Sequence, residues 1–315
     1  MQHTLPRPTQ ISTNVRIPFG TIARTLARAV GLRASALVAP VLAGAWAERL
    51  FLTPPRARHR ESAFFDFLDA RSSFVVHRGR HLATWRWGPD HAPAVLLVHG
   101  WGGRASQMRA FVPRLLAAGF RVIAYDQPAH GLSEGRLTGL PDFAGALAAI
   151  ARHYGGIRAV ISHSLGAAAA AVAVARGLQL ERAVLIAPSA DFDAYARRFA
   201  HWHWMPERAR KAMQAAIEER FGVRWADLEI SRLAPRIDVQ ALVIHDRGDA
   251  VMPWRKGAAF ARAWPGARML TTEGLGHGRI LESDAALRAA ADFIVGRSEV
   301  AERAVPALPH PAPLY

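Results

Sequence analysis

Short, continuous apolar runs, rather than alternating ones, dominate the middle of the chain. Ala94 to Val98, Phe120 to Tyr125, Ala159 to Ile161, Arg182 to Ala187 and Ala241 to His245 are rich in β-branched residues and bounded by glycine, proline or charge. Runs of this kind predict strands covered on both faces, and hence a parallel sheet. Upstream, Ser73 to Val76 and His81 to Trp87 predict a hairpin that turns at Arg78-Gly79-Arg80. Helical patterns fill the intervals, from about Ala105 to Ala118, from Pro141 to Tyr154 and from Leu165 to Ala175, the last carrying seven alanines. A further helix, the strand Arg268 to Thr272 and a final helix ending near Val295 close the pattern. Strand and helix alternate throughout, which predicts an α/β fold with a mostly parallel, doubly wound sheet. Only between Ala187 and about Val239 does the alternation lapse, into two or three helices inserted between strands.

Both ends depart from this pattern. Ala34 to Ala47 is an uncharged run of 14 residues, apolar but for Ser35. It is shorter than the roughly 20 residues a membrane-spanning helix needs. One reading is a helix or helix pair from about Thr21 to Phe51, packed on the domain or lying at a membrane surface. Another makes residues 1–47 a signal segment, with Ala45-Trp46-Ala47 as a small-x-small cleavage site. The first reading places the protein in the cytoplasm, with possible membrane association, and the second in the periplasm or outside the cell. Pro54-Pro55 ends the element. The expected organisation is therefore a basic N-terminal helical extension and linker (1–72), an α/β domain (73–296) with a helical insertion (188–239), and a proline-rich disordered tail (297–315).

Composition narrows the chemistry. The chain of 315 residues contains no cysteine, which rules out disulfides, thiolate metal sites and thiol nucleophiles. Its formal net charge is +15, yet only two of the 40 basic residues, Lys211 and Lys256, are lysine. Residues 1–60 hold nine arginines against one acid, Glu48, a balance that favours anionic surfaces. No basic stripe interleaved with aromatics suits a nucleic-acid groove, so nucleic acid is not an expected partner.

The candidate chemistry gathers where strands end. Ser164, in Ser162-His163-Ser164-Leu165-Gly166, lies where a strand must turn sharply into a helix. That is the setting of a nucleophile elbow, in which a strained turn lifts a serine hydroxyl above the sheet. The usual pattern is G-x-S-x-G, and Ser162 stands at the first glycine. The alternative is a serine that caps a core helix. Two carboxylates, Asp246 and Asp249, follow the strand Ala241 to His245, and His277 lies in a glycine-rich loop after the last strand. A serine hydroxyl needs an adjacent base, and that base needs a carboxylate to fix its tautomer and stabilise its cation. His99 and His163 read as structural neighbours, Asp126 as the holder of a turn, and His201-Trp202-His203 as too few ligands for a metal.

Taken together, His99 to Gly103, Asp126 to Ser133, Ser162 to Gly166, Asp246 to Pro253 and Gly274 to Gly278 occur in an order that resembles an α/β-hydrolase-fold serine hydrolase of esterase, lipase or lysophospholipase type. The resemblance covers about residues 73 to 296. It implies Ser164 as nucleophile, His277 as base and Asp249 as acid, because Asp249-Ala250-Val251-Met252-Pro253 matches the family segment; Asp246 then forms a turn. It also implies an oxyanion hole from the backbone amides of Trp101 and Leu165, with no cofactor and a small-molecule ester as substrate. In the family, insertions placed like 188–239 form a cap over the site. Phe192, Tyr195, Phe199, Trp202, Trp204, Phe221 and Trp225 within it suit a hydrophobic acyl or lipid-like group, or else pack the cap against the main domain. Thioesterase, acyltransferase, cofactor-free haloperoxidase and non-catalytic binding proteins share the fold, so the fold does not choose among them.

Overall fold

The computed structural model describes residues 31, 39–55, 70–188 and 191–297. Most of the first part of the expected N-terminal helix pair, most of the linker and the expected tail beyond residue 297 lie outside these residues. The strands are β1 (Arg71–His77), β2 (Arg80–Trp87), β3 (Ala94–Val98), β4 (Arg121–Tyr125), β5 (Ile157–His163), β6 (Arg182–Ile186), β7 (Gln240–Asp246) and β8 (Arg268–Thr272). They form one sheet in the order β1-β2-β4-β3-β5-β6-β7-β8. The pairs β1–β2 and β2–β4 are antiparallel, and every later pair is parallel. The β1–β2 hairpin turns on Arg78 and Gly79, both at positive φ, the geometry whose twist matches the flanking strands.

Every residue of β3 and β4 is buried, as the unbroken apolar runs require. Because successive side chains point to opposite faces, each strand feeds two cores. On one face Leu96, Val98, Val160, Leu185 and Val243 meet helices α3 (Leu140–Tyr154) and α4 (Leu165–Ala175). On the other, Val95, Leu97, Ile161, Val184 and Ile244 meet a 3-10 segment (Ala105–Phe111), helix α2 (Val112–Ala117) and helix α8 (Asp284–Val295). A fully buried side chain such as Phe143 on α3 contributes about 1.5–3 kcal/mol relative to exposure. The single helix expected over 105–118 is thus two pieces, 3-10 and then α, joined where Pro113 lies in the first turn of α2.

The insertion folds into α5 (Phe192–Trp202), α6 (Glu207–Phe221) and several short turns; α7 (Trp254–Ala263) follows β7. Helix α1 (Pro40–Phe51) belongs with the insertion and not with the sheet. Its Ala43 and Ala47 are buried with Ala196, Ala209, Met213 and Ile217. At the contact a Cβ on Gly44 would fall 2.6 Å from the Cβ of Ala212, so only glycine lets the two helices approach this closely. Buried Glu48 pairs with Arg220 on α6. The uncharged run is therefore partly a packed helix, and no helix among the described residues is long and apolar enough to cross a membrane.

A close backbone contact joins α4 to the end of β3: a Cβ on Gly166 would lie 2.5 Å from the His99 carbonyl oxygen. That neighbour is backbone and cannot swing aside. Gly166→Ala is expected to destabilise the protein by about 1–3 kcal/mol, read as a lower midpoint in urea at unchanged m-value.

Candidate active site

Ser164 occupies the single residue between β5 and α4, with φ 54° and ψ −121°. Non-glycine residues rarely adopt this backbone, and here it is held by a hydrogen bond from the Ser164 amide to the Ile186 carbonyl at 2.9 Å. The departure at Ser162 is accommodated: its side chain is buried and donates to the Val184 carbonyl at 3.1 Å on the next strand. Gly100 approaches so closely that a Cβ there would sit 2.8 Å from the Ser164 Cβ.

His277 stands on a one-turn helix, Gly276–Arg279, after β8. Its Nε2 lies 3.1 Å from Ser164 Oγ and its Nδ1 lies 2.7 Å from Asp249 Oδ2. The tautomer that satisfies both contacts donates Nδ1–H to the carboxylate and accepts the serine hydroxyl at Nε2. The Asp249 side chain is fully buried, and its Oδ1 accepts the amides of Val251 and Met252 at 2.9 and 2.8 Å. Burial alone would raise this carboxyl, but hydrogen bonds from His245, His277 and Met252 outweigh it and hold Asp249 far below the usual carboxylate range.

Asp246 faces elsewhere. It accepts the Gly248 amide at 2.9 Å, the Thr272 hydroxyl at 2.8 Å and the Leu275 amide at 3.1 Å. It ties the end of β7 to the loop that carries His277, which is more than the turn expected of it. Asp126 accepts the amides of Ala105 and Leu132, each at 2.8 Å, and so closes the turn beside the site. His99 donates to the Gly100 carbonyl at 2.7 Å and accepts the Gln127 amide at 2.9 Å. His163 donates to the His277 carbonyl at 3.0 Å and so anchors the histidine loop. His203 stacks on Phe199 and hydrogen-bonds its carbonyl at 3.2 Å, so it is engaged within the cap.

The sequence reading missed His245. Its Nε2 contacts the Met252 carbonyl at 3.0 Å and Asp249 Oδ2 at 3.3 Å, both side chains being wholly buried. Asp249 thus lies between two imidazoles. The signal was modest: a histidine as the penultimate residue of an otherwise apolar strand. Trp101 and Leu165 flank Ser164, and their backbone amides have no hydrogen-bond partner among the described residues.

A cavity of about 350 Å³ opens on Ser164 and His277. Phe192, Tyr195, Trp202, Phe221 and Trp225 line it, whereas Phe199 and Trp204 do not, so most of the cap aromatics face the site and do not serve only to bind cap to core. Phe51 and Leu52, from the end of α1, complete the wall, a contribution the sequence pattern did not reveal.

The sequence profile of the alpha/beta hydrolase family matches residues 95–291. The chain belongs to that family. It is similar to the bifunctional esterase/perhydrolase of Acinetobacter calcoaceticus, at 24% identity over 61% of this chain and 87% of the relative. It is also similar to the non-heme chloroperoxidase of Streptomyces lividans, at 28% identity over 62% of this chain and 88% of the relative. Among solved structures, an esterase of Pyrococcus furiosus shares the fold with a TM-score of 0.60 and 20% identity, covering 76% of this chain and 98% of its own.

The buried histidines make stability depend on pH. Burial, reinforced by the neighbouring His277, pushes His163 down to about 3, and burial holds His99 well below its ordinary value. Both are neutral when folded but take up a proton when unfolded below about pH 6.5, so the unfolded state binds more protons and stability is lost as the pH falls. Each is expected to remove up to about 1.4 kcal/mol per pH unit below 6.5, and His163 ceases to do so near 3. Urea midpoints at pH 7 and pH 5 check this: His163→Gln should show a shallower loss than wild type.

Proposed function

We propose that this hydrolase-family protein is a serine esterase that cleaves carboxylic esters of hydrophobic, lipid-like acyl groups through an acyl-enzyme. The observation that carries the reading is the unbroken relay from Asp249 through His277 to Ser164, opening into an apolar chamber. Ser164 Oγ adds to the ester carbonyl while His277 Nε2 takes the hydroxyl proton. The carbonyl oxygen becomes an oxyanion, and the free amides of Trp101 and Leu165 are its donors; one such donor is worth about 2.7–4 kcal/mol of barrier. The ester C–O bond then breaks, the leaving alkoxide takes the proton from His277, and the acyl group remains on Ser164. Water, deprotonated by His277, releases the acid and restores the serine.

Asp249 stabilises the imidazolium formed in each half-reaction, and its depressed pKa keeps it anionic throughout. Because His99 and His163 stay neutral, His277 meets no competing cation from either neighbour. The names of the similar proteins favour a second use of the same acyl-enzyme. Hydrogen peroxide in place of water would yield a peracid, in keeping with an esterase/perhydrolase and a non-heme chloroperoxidase among the relatives.

A fluorophosphonate probe is expected to label the wild type and not Ser164→Ala, with 4-nitrophenyl octanoate hydrolysis abolished in parallel. Failure of folded wild type to label or to hydrolyse any ester would reject the reading. For the second imidazole, His245→Ala is expected to lower kcat/KM by about 10-fold or more, as loss of a hydrogen bond to a buried charge does. His245→Gln, which keeps an N–H near the same place, should recover most of it. Equal rates for both variants would show that His245 only fills space.

A further inference from the structure

The apolar chamber is not the only space that reaches Ser164. A second cavity, of about 300 Å³, shares Trp101, Ser164 and His277 with it and no other lining residue. Its own walls are chemically different. Gln107 and Arg109 project from the 3-10 segment 105–111, and Glu282 comes from the turn before α8. Arg109 Nη2 lies 3.3 Å from Glu282 Oε1, so cation and anion offset one another across the cavity. The Gln107 side-chain amide has no hydrogen-bond partner among the described residues.

An ester has two arms about its carbonyl carbon, and Ser164 attacks at the point where the two cavities meet. The arms must therefore part there, one into each space. The chamber under the cap offers a long hydrophobic wall to the acyl chain. We propose that the second cavity receives the leaving alcohol, and that this alcohol is a neutral, hydroxyl-rich group of glycerol type. The assignment rests on the serine-esterase reading above. It follows from the balance of the lining. A hydroxyl can donate to Glu282, accept from Arg109 and do either with Gln107, whereas an anionic or cationic group would meet a charge of each sign and gain little net attraction. His277 borders this cavity too, so the proton it returns goes to the alkoxide oxygen at the cavity mouth as the ester C–O bond breaks. The product leaves as the free polyol, with the acyl group still on Ser164.

Three esters separate the possibilities: 1-octanoylglycerol, ethyl octanoate and octyl acetate, compared by kcat/KM, which reports the acylation step in which the alcohol is still present. The glyceryl ester is expected to exceed the ethyl ester by about 10-fold or more, the worth of one hydrogen bond to a charged side chain. Gln107→Leu and Arg109→Leu should each lower that ratio, and together bring it within about twofold of one, with circular dichroism confirming that the variants fold. Equal rates for the two octanoates in wild type would overturn the proposal while leaving the esterase reading intact. A preference for octyl acetate would overturn it by reversing the chambers. Hydrolysis of none of the three would overturn it as well, and fluorophosphonate labelling then tells whether the serine-hydrolase reading falls with it.

Discussion

The backbone of Ser164 is the constraint on which the rest of the structure depends. Its φ of 54° costs on the order of 1–3 kcal/mol in a non-glycine residue and persists only where the surroundings over-determine it. Here they do. The Ser164 amide is fixed to β6, its carbonyl accepts the Ala167 amide at 3.0 Å, and Gly100 and Gly166 close in on either side where no Cβ would fit. The small residues of α4 follow from the same requirement. A helix that starts at so tight a turn must lie close to the sheet on one side and to α3 on the other, and alanine permits both approaches. The strain thus buys a fixed place for the hydroxyl, above the sheet and beside two unpartnered amides.

Charge is arranged around that position with similar economy. One buried carboxylate, Asp249, is kept ionised by hydrogen bonds from two imidazoles and two backbone amides. Asp246, three residues earlier, uses its oxygens to pin the His277 loop and leaves the field to Asp249. His163 holds the same loop by its carbonyl, so the geometry of Ser164, His277 and Asp249 is fixed from the strand side, the loop side and the elbow side at once.

What was legible in the sequence follows from how local each constraint is. Ala94–Val98 and Arg268–Thr272 were read to the residue, because a strand buried on both faces or bounded by turn formers leaves an unambiguous pattern. The order of Ser164, Asp249 and His277 was legible because each follows a strand end. The break within 105–117 was not, since 3-10 and α segments share their apolar spacing over so short a span. His245 was hidden for a different reason: its contact with Asp249 depends on how the chain turns after β7, which no periodicity encodes. The inner lining of the cap was equally silent, because an aromatic that faces a cavity and one that packs on a neighbour look alike in a helix.

Helix α1 carries the argument furthest from local pattern. In the sequence its run of small apolar residues resembles an element meant for a membrane or for export. In the fold, Ala43, Gly44 and Ala47 are the residues that let α1 approach α6, and a larger side chain at Gly44 has no room. That docking brings Phe51 and Leu52 to the wall of the apolar chamber, and the Leu52 carbonyl accepts the Thr138 amide at 2.9 Å on the main domain. Pro55 then rests against Gly102, in the turn that carries the Trp101 amide. The stretch that looks most dispensable to a hydrolase is therefore the one that joins cap, chamber and the turn at Trp101. Its smallness is a packing requirement, and the exposed Val41 and Leu42 at its outer end are what remains of the apolar run once that requirement is met.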